Sequence, residues 1–165
     1  GKLRVAPQVE RTLPLDVCAA YTECWRCKKT TGLVIDLCFA ASRVLQGAAD
    51  VTAKIYDFDD EGRGGALLMS TLPAALLAPH GIGPIKPRYS RTEGQPYLSN
   101  GCIHCDALQG RFFDHEVTYD AHPIFSIDVQ FDNRWVSHLE DREAIDKWWF
   151  DDRPGEDTAE DAPKS

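Results

Sequence analysis

Two short cysteine motifs carry the clearest chemistry in this chain. One runs from Cys24 to Cys27 and the other from Cys102 to Cys105, and together they hold four of the six cysteines. A Cys-x-x-Cys turn directs two thiolates at one point, and two such turns form the tetrahedral four-thiolate site that zinc prefers. The sequence therefore predicts a structural zinc site whose ligands are Cys24, Cys27, Cys102 and Cys105.

The two motifs are far apart for a site of this kind. Residues 28–101, which is 74 residues, separate them, whereas about 15–20 residues are usual between four-cysteine knuckles. Closure entropy grows only logarithmically with loop length, so a long insertion is tolerated if it folds as part of the domain. Strand-like residues 32–39 and 110–117 follow the two knuckles. A knuckle leading into a strand is the building unit of a zinc ribbon, here interrupted by an insertion over residues 28–101.

Other chemistries compete for the same cysteines. A thiol oxidoreductase would use the pair Cys102 and Cys105, but neither knuckle is followed by a strongly helical stretch. Six cysteines in 165 residues is below the density of a disulfide scaffold. Iron fits a four-thiolate cage as zinc does, and it stays open as the alternative metal. Because four thiolates leave no position for water, a catalytic zinc is disfavoured, and we lean against an enzyme.

Composition favours one globular domain over residues 1–150 followed by an acidic tail. The net charge is −8, and residues 151–165 carry six acids against two bases, or −4 of it. That stretch lacks large apolar residues, so we expect it to be disordered. No run approaches the roughly 18 apolar residues that a bilayer span needs, so we expect no membrane partner. No secretory signal pattern stands near the beginning, and we expect a cytoplasmic location.

The apolar periodicity predicts an α+β fold with small antiparallel sheets around the ribbon and a C-terminal helix. Ser70 or Thr71 is expected to cap a short helix that continues to residue 78, and residues 57–65 are expected to form a loop. In the C-terminal helix, Trp148 and Trp149 are expected to dock on the core. Strands are predicted over residues 13–24, 32–39, 51–58, 97–100 and 124–131, an extended segment over 83–92, a hairpin partner over 134–138, and helices over 71–78 and 141–150.

Cationic residues stand in two places. Arg26, Lys28 and Lys29 surround the first knuckle, where they offset the formal charge of −2 on a zinc ion with four thiolates. The second group, inside the insertion, is a basic-aromatic cluster that predicts either a packed proline-rich connector or a nucleic-acid contact. That cluster consists of Lys86, Arg88, Tyr89 and Arg91.

The residues around the second knuckle resemble a known group. Residues 89–92 (Tyr-Ser-Arg-Thr) and 97–110, together with the Cys-Trp-x-Cys knuckle upstream, resemble a bacterial and phage-associated zinc-ribbon-like family of uncharacterised proteins. The resemblance covers the two knuckles and roughly residues 89–115, and Asp106 stands where Gly is expected. It implies an interrupted zinc ribbon and no particular activity.

Three functions follow from these patterns. We expect first a zinc-stabilised, non-enzymatic domain that binds another protein, with metal binding contributing directly to folding. A nucleic-acid-binding ribbon that uses Lys86, Arg88, Tyr89 and Arg91 is the second hypothesis. A thiol oxidoreductase that uses Cys102 and Cys105 is the third.

Overall fold

The chain adopts an α+β fold with two small antiparallel sheets and few helices, as its sequence predicts. This computed structural model describes residues 11–44, 46–58, 63–110 and 120–139. The predicted C-terminal helix with Trp148 and Trp149, the acidic tail and most of the predicted strand over 110–117 lie outside these residues. The strands are β1 (Arg11–Glu23), β2 (Thr30–Phe39), β3 (Val51–Ala53), β4 (Lys86–Ser90), β5 (Gln95–Gly101), β6 (Leu108–Gln109) and β7 (His122–Phe131).

The larger sheet has the strand order β3-β2-β1-β7. Along β1, the alternate residues Leu13, Leu15, Val17 and Ala19 are fully buried, as a strand with one face on a core requires. Strand β2 is buried almost continuously from residue 31 to 35, which is typical of a strand covered on both faces.

The smaller sheet has the order β4-β5-β6 and is antiparallel throughout. In β4, Arg88 and Ser90 are buried, whereas Tyr89 between them is exposed. This alternation follows from the two-residue period of a strand, and it places Tyr89 on the face opposite to Lys86 and Arg88.

The helices are short. Three α-helices and three 3₁₀ turns occur in the described part of the chain. They are α1 (Arg63–Thr71), α2 (Ala74–Leu77), α3 (Asn133–Leu139) and the 3₁₀ turns Ala41–Arg43, Ile55–Phe58 and Ala78–His80. None of the described helices has the length and apolar content needed to cross a membrane.

The chain divides into two compact units. Among the described residues, unit 1 comprises 11–15, 39–44, 46–51 and 127–139, and unit 2 comprises 16–38, 52–58, 63–110 and 120–126. In unit 1, Phe39 meets the rings of Phe131 and Trp135 edge to face, with both centroid distances at 5.0 Å. Unit 2 contains both cysteine knuckles. That residues 1–150 behave as one domain stays a prediction.

The predicted hairpin partner over residues 134–138 is wrong, because these residues lie in helix α3. The Asp132 carboxylate accepts the backbone N–H of Arg134 at 3.0 Å, as an N-cap residue does. Trp135 and Leu139 are both buried, and residues four apart share one face of a helix. The sequence suggested a strand here, but the Asp132 cap and the burial of residues four apart are those of a helix.

The predicted strand over residues 51–58 is only partly correct. Strand β3 ends at Ala53, and a 3₁₀ turn follows from Ile55 to Phe58. The Asp57 carboxylate accepts the Lys54 N–H at 2.9 Å, and the Lys54 carbonyl accepts the Asp57 N–H at 3.0 Å. These bonds turn the chain and bury Ile55 and Phe58, three residues apart.

Helix α1 was not predicted, since the sequence suggested an acidic loop up to residue 65. The hydroxyls of Ser70 and Thr71, expected to cap the following helix, instead donate to the Leu67 carbonyl at 2.9 and 2.8 Å. They therefore belong to the last turn of α1. Helix α2 starts after an extended Pro73 that makes no side-chain cap bond.

Candidate metal centre

Each cysteine knuckle is the turn of a β-hairpin. Strand β1 leads into Cys24 and β2 begins at Thr30, while β5 leads into Cys102 and β6 begins at Leu108. The sheets thus present both turns as fixed ends of strands within unit 2. A thiolate pair on such a turn needs little reordering to meet a metal ion.

The four sulfur atoms lie together, all within 4.8 Å of one another. The Sγ atoms of Cys24 and Cys105 are 3.7 Å apart, and those of Cys27 and Cys102 are 3.6 Å apart. A tetrahedron with metal–sulfur bonds of about 2.3 Å has edges of about 3.8 Å. A disulfide would need about 2.05 Å, and all six cysteines are free. The cluster can therefore hold a metal ion.

The two knuckles have matching backbones. The N–H of Lys28 donates to the Cys24 carbonyl at 3.0 Å, and the N–H of Asp106 donates to the Cys102 carbonyl at 2.9 Å. Lys28 and Asp106 have φ angles of 67° and 64°, and they are the two non-glycine residues with positive φ in the described chain. Asp106 thus takes the left-handed conformation for which a Gly was expected.

Backbone N–H groups point at the sulfurs. The Sγ of Cys24 accepts from the N–H of Arg26 at 3.3 Å and of Cys27 at 3.5 Å, and the Sγ of Cys102 accepts from His104 at 3.3 Å. Such donors spread the negative charge of metal-bound thiolates and hold the ligands in place.

The thiols differ in acidity. The pKa of Cys24 is lowered to about 6: burial opposes ionisation, but the amides of Cys27 and Arg26 and the neighbouring thiols of Cys105 and Cys102 together outweigh it. The pKa of Cys27 is raised to about 11: the Lys29 amide favours its thiolate, yet burial and the other three thiols oppose it. One negative charge in the cluster discourages the next, so a cation is needed to hold four thiolates together.

Side chains of each hairpin also reach the other. The indole N–H of Trp25 donates to the Leu108 carbonyl at 2.6 Å, and a ring nitrogen of His104 lies 3.0 Å from the Thr30 carbonyl. Leu108 and Thr30 are the sixth residues after Cys102 and Cys24, respectively. These bonds lock the two hairpins in register around the sulfurs.

Two buried residues that sequence reasoning missed make the same kind of link. Thr31 accepts the backbone N–H of Ile103 on its hydroxyl at 3.0 Å, and Gln109 donates its side-chain amide to the Cys24 Sγ at 3.3 Å. Their exposures are 0% and 1%. Both stand seven residues after the first cysteine of a knuckle. A polar residue repeated at that offset in both knuckles is the signal that could have found them.

Arg88 is a buried clamp on the second knuckle. Its guanidinium donates to the carbonyls of Pro84 and Ser99, both at 2.8 Å, and of Asp106 at 3.2 Å. It also donates to the Asp106 carboxylate at 2.7 Å, and Lys86 approaches the other carboxylate oxygen at 3.1 Å. Partial burial disfavours the Asp106 carboxylate, but hydrogen bonds and charge from Arg88 and Lys86 hold its pKa below the ordinary value.

Close backbone packing accompanies this clamp. A Cβ at Gly101 would overlap the guanidinium of Arg88, and a Cβ at Gly83 would overlap the Gly101 carbonyl oxygen. Glycine at these two positions is what allows the arginine and the chain before β4 to reach the second knuckle.

Asn100 ties β5 to β2 of the first hairpin through its side chain. Its fully buried side chain accepts the Val34 N–H at 2.9 Å and donates to the Val34 carbonyl at 3.0 Å. The side-chain amide thus bonds to the Val34 backbone as the backbone of a neighbouring strand would. These bonds hold β5 beside β2, the strand that follows Cys27.

The predicted nucleic-acid cluster is divided. Arg88 is 8% exposed and bonded as described, and Lys86 is paired with Asp106, whereas Tyr89 is 65% exposed and Arg91 is exposed as well. Its role in nucleic-acid binding stays a prediction.

Cys18 and Cys38 lie apart from the metal centre. Both are half-buried. Burial, and then the charges of Asp36, Cys38 and Asp16, raise the pKa of the Cys18 thiol. Cys18 and Cys38 are therefore near enough to interact electrostatically, a question that the sequence left open.

Comparison with known proteins adds no relative. No family model matches the chain, and neither the curated proteins nor the solved structures provide a match. The resemblance to a zinc-ribbon-like family of bacteria and phages stays an expectation.

Proposed function

We propose that the chain is a zinc-stabilised, non-enzymatic binding domain whose partner is another protein. The observation that carries the proposal is the cluster of four cysteine sulfurs in two matched knuckles. A metal held there contributes its binding free energy to folding, since the unfolded chain has no preformed site.

Zinc fits this cluster best. Four thiolates in a tetrahedron with N–H···S bonds satisfy an ion that has no geometric preference of its own and needs no redox change. Iron accepts the same donors, so the metal must be measured. With all four positions filled by sulfur, no water can be activated on the ion, which favours a structural role over a catalytic one.

A binding function follows from what the centre supports. Buried hydrogen bonds from Arg88, Asn100 and Gln109 hold the ends of the two hairpins in place. Rigid, exposed turns are suited to present side chains to a partner, because little entropy is lost when they bind.

The first test is elemental analysis together with a count of reactive thiols on protein purified without chelator. We expect one zinc per chain and four thiols protected until a chelator is added. An iron signal with a visible absorption band would replace zinc by iron. Metal-free protein that keeps its circular dichroism would contradict the structural role altogether.

The thiol oxidoreductase hypothesis has less support. Sulfurs approach each other across the knuckles, Cys24 to Cys105 at 3.7 Å and Cys27 to Cys102 at 3.6 Å. A redox pair needs an accessible attacking thiolate, whereas Cys102 is 1% exposed. Insulin reduction that is lost in Cys102→Ser and insensitive to metal would restore that hypothesis.

A further inference from the structure

The tip of the first knuckle is an exposed cationic surface around one aromatic ring. It consists of Trp25, Arg26, Lys28 and Lys29, hereafter the knuckle patch, and all four residues are exposed. Among the residues that the structure describes, no carboxylate forms an ion pair with any of its three cations, Glu23 included. Three other cations of unit 2, Lys54, Lys86 and Arg88, do have acidic partners.

The charge of the metal centre does not account for these cations by itself. Three backbone N–H groups and the Gln109 amide already donate to the sulfurs, and Arg88 and Lys86 stand at the second knuckle. The patch cations contact none of the sulfurs through their side chains in any described hydrogen bond. They are therefore available to an external anionic group.

Trp25 gives the patch an apolar centre. Its ring is 49% exposed although its indole N–H is already bonded to the Leu108 carbonyl. The ring is thus fixed before any partner arrives, so binding against it costs little side-chain entropy. Trp and Arg are the residue types that most often dominate protein interfaces.

We propose that the knuckle patch docks an acidic segment of a partner protein, with an apolar side chain against Trp25 and carboxylates against Arg26, Lys28 and Lys29. This inference rests on the proposed function and names the chemistry of its partner. The charge complementarity is local, since the chain as a whole carries −8.

The contrast between the cationic patch and the net negative chain favours a short acidic segment over a nucleic acid as the partner. Charges separated by more than about 10 Å are largely screened at 0.1 M salt, so a short segment interacts with the patch alone. A long polyanion would extend over the surrounding surface, where a net negative chain repels it.

The test selects short random peptides by display on the full-length, zinc-loaded protein at physiological salt. We expect the enriched peptides to be acidic and to carry an aromatic or large aliphatic residue. Their affinity should fall at least about tenfold for the triple variant Arg26→Glu, Lys28→Glu, Lys29→Glu, because the new carboxylates would repel the like charges of an acidic peptide. Trp25→Ala should weaken binding similarly.

Controls separate this inference from the proposed function. Arg63→Glu reverses an exposed cation on α1 and should leave affinity within about twofold, as expected for a charge outside the interface. Each variant is checked for zinc content and thiol protection, so a loss of the metal centre is recognised separately from a loss of docking.

Three outcomes would overturn the inference. They are enrichment of neutral or basic peptides, no enrichment at all, and acidic peptides that bind the triple variant as tightly as the wild type. Labelled oligothymidylate is titrated in parallel. If it binds through the same residues while no acidic peptide is selected, the partner is a nucleic acid instead.

Discussion

At the residue scale, the knuckles depend on two side-chain-bearing residues in a conformation that glycine adopts more easily. Lys28 and Asp106 occupy the same position of the two turns, with φ of 67° and 64°. Asp106 gains bonds to Arg88 and Lys86 in exchange, whereas no described ion pair compensates Lys28. A lysine kept at an unfavourable φ is consistent with a binding role for its charge.

Lys28→Gly should therefore stabilise the domain. Left-handed backbone costs a non-glycine residue about 1–2 kcal/mol, and glycine loses part of that gain through its greater freedom when unfolded. We expect a net increase of about 0.5–1 kcal/mol in the free energy of unfolding, measured by urea denaturation. Lys29→Gly, where φ is not positive, should be neutral or destabilising. A lower midpoint for Lys28→Gly would contradict the strain argument.

Cys18 predicts a loss of stability at alkaline pH. Its folded pKa is raised above the ordinary value of 9.0, first by burial and then by Asp36, Cys38 and Asp16. Because the unfolded thiol ionises first, its contribution is complete below pH 9 and declines as pH rises toward the folded pKa. Unfolding titrations of the wild type and Cys18→Ala should converge above pH 9. Parallel pH profiles would show that Cys18 has no shifted pKa.

At the element scale, a side-chain amide joins strands of the two sheets, and a guanidinium joins the segments around the second knuckle. Asn100 on β5 bonds both backbone groups of Val34 on β2. Arg88 on β4 gathers carbonyls from three neighbouring segments. These buried bonds place the end of β5, and with it Cys102, next to the strand that follows Cys27.

Asn100→Ala should destabilise the domain by about 2–4 kcal/mol, since two buried backbone groups of Val34 lose their partners. Thermal unfolding of the metal-loaded protein measures the effect. Gln95→Ala is the matched control, because Gln95 lies on the same strand and is exposed. Similar small losses in both variants would mean that Asn100 does not join the two elements.

Arg88→Lys tests whether geometry or charge matters at the second knuckle. Lysine keeps the positive charge but has no planar fork, so it cannot reach the Pro84, Ser99 and Asp106 oxygens together. We expect a loss of about 2–4 kcal/mol from unsatisfied buried carbonyls and faster release of bound metal to a chelator. Lys86→Met, which removes an exposed partner of Asp106, should cost at most about 1 kcal/mol. Metal release from Arg88→Lys at the wild-type rate would show that the clamp does not position the knuckle.

At the scale of the whole molecule, the four-cysteine cluster joins residues of unit 2 that are far apart in sequence. The two knuckles lie at the opposite ends of a long insertion, residues 28–101, which itself contains strands and helices. Removal of the ion leaves four thiols that disfavour one another's ionisation, as the pKa of about 11 for Cys27 indicates. Unit 2 should therefore depend on the ion for its closure.

Acidification should release the metal, because protons compete with the ion for the thiolates. Affinity is expected to rise with pH through the neutral range, and binding at pH 7 should release protons, including that of Cys27 with its pKa of about 11. Calorimetry in two buffers of different ionisation enthalpy measures the proton number. Metal binding with no proton release would mean that the thiols are not the ligands.

Hydrogen exchange tests whether the knuckles lose their structure when the metal is removed. Chelation should remove the protection of the knuckle amides of Lys28 and Asp106, which donate to cysteine carbonyls. Amides that keep full protection without metal would indicate that the protein fold alone maintains the knuckles.

The sequence by itself determined the α+β class, the cysteines that come together and most of the strands, because Cys-x-x-Cys spacing and two-residue alternation are local patterns. Local bonds of Asp57 and Asp132, which the alternation did not reveal, make residues 55–58 a 3₁₀ turn and start the helix over 133–139. Tertiary structure alone decided that Arg88 is buried. It also recruited Asn100 and Gln109, whose partners are 66 and 85 residues away. Such contacts leave no local periodicity, because they depend on which strand ends the folded sheets bring together.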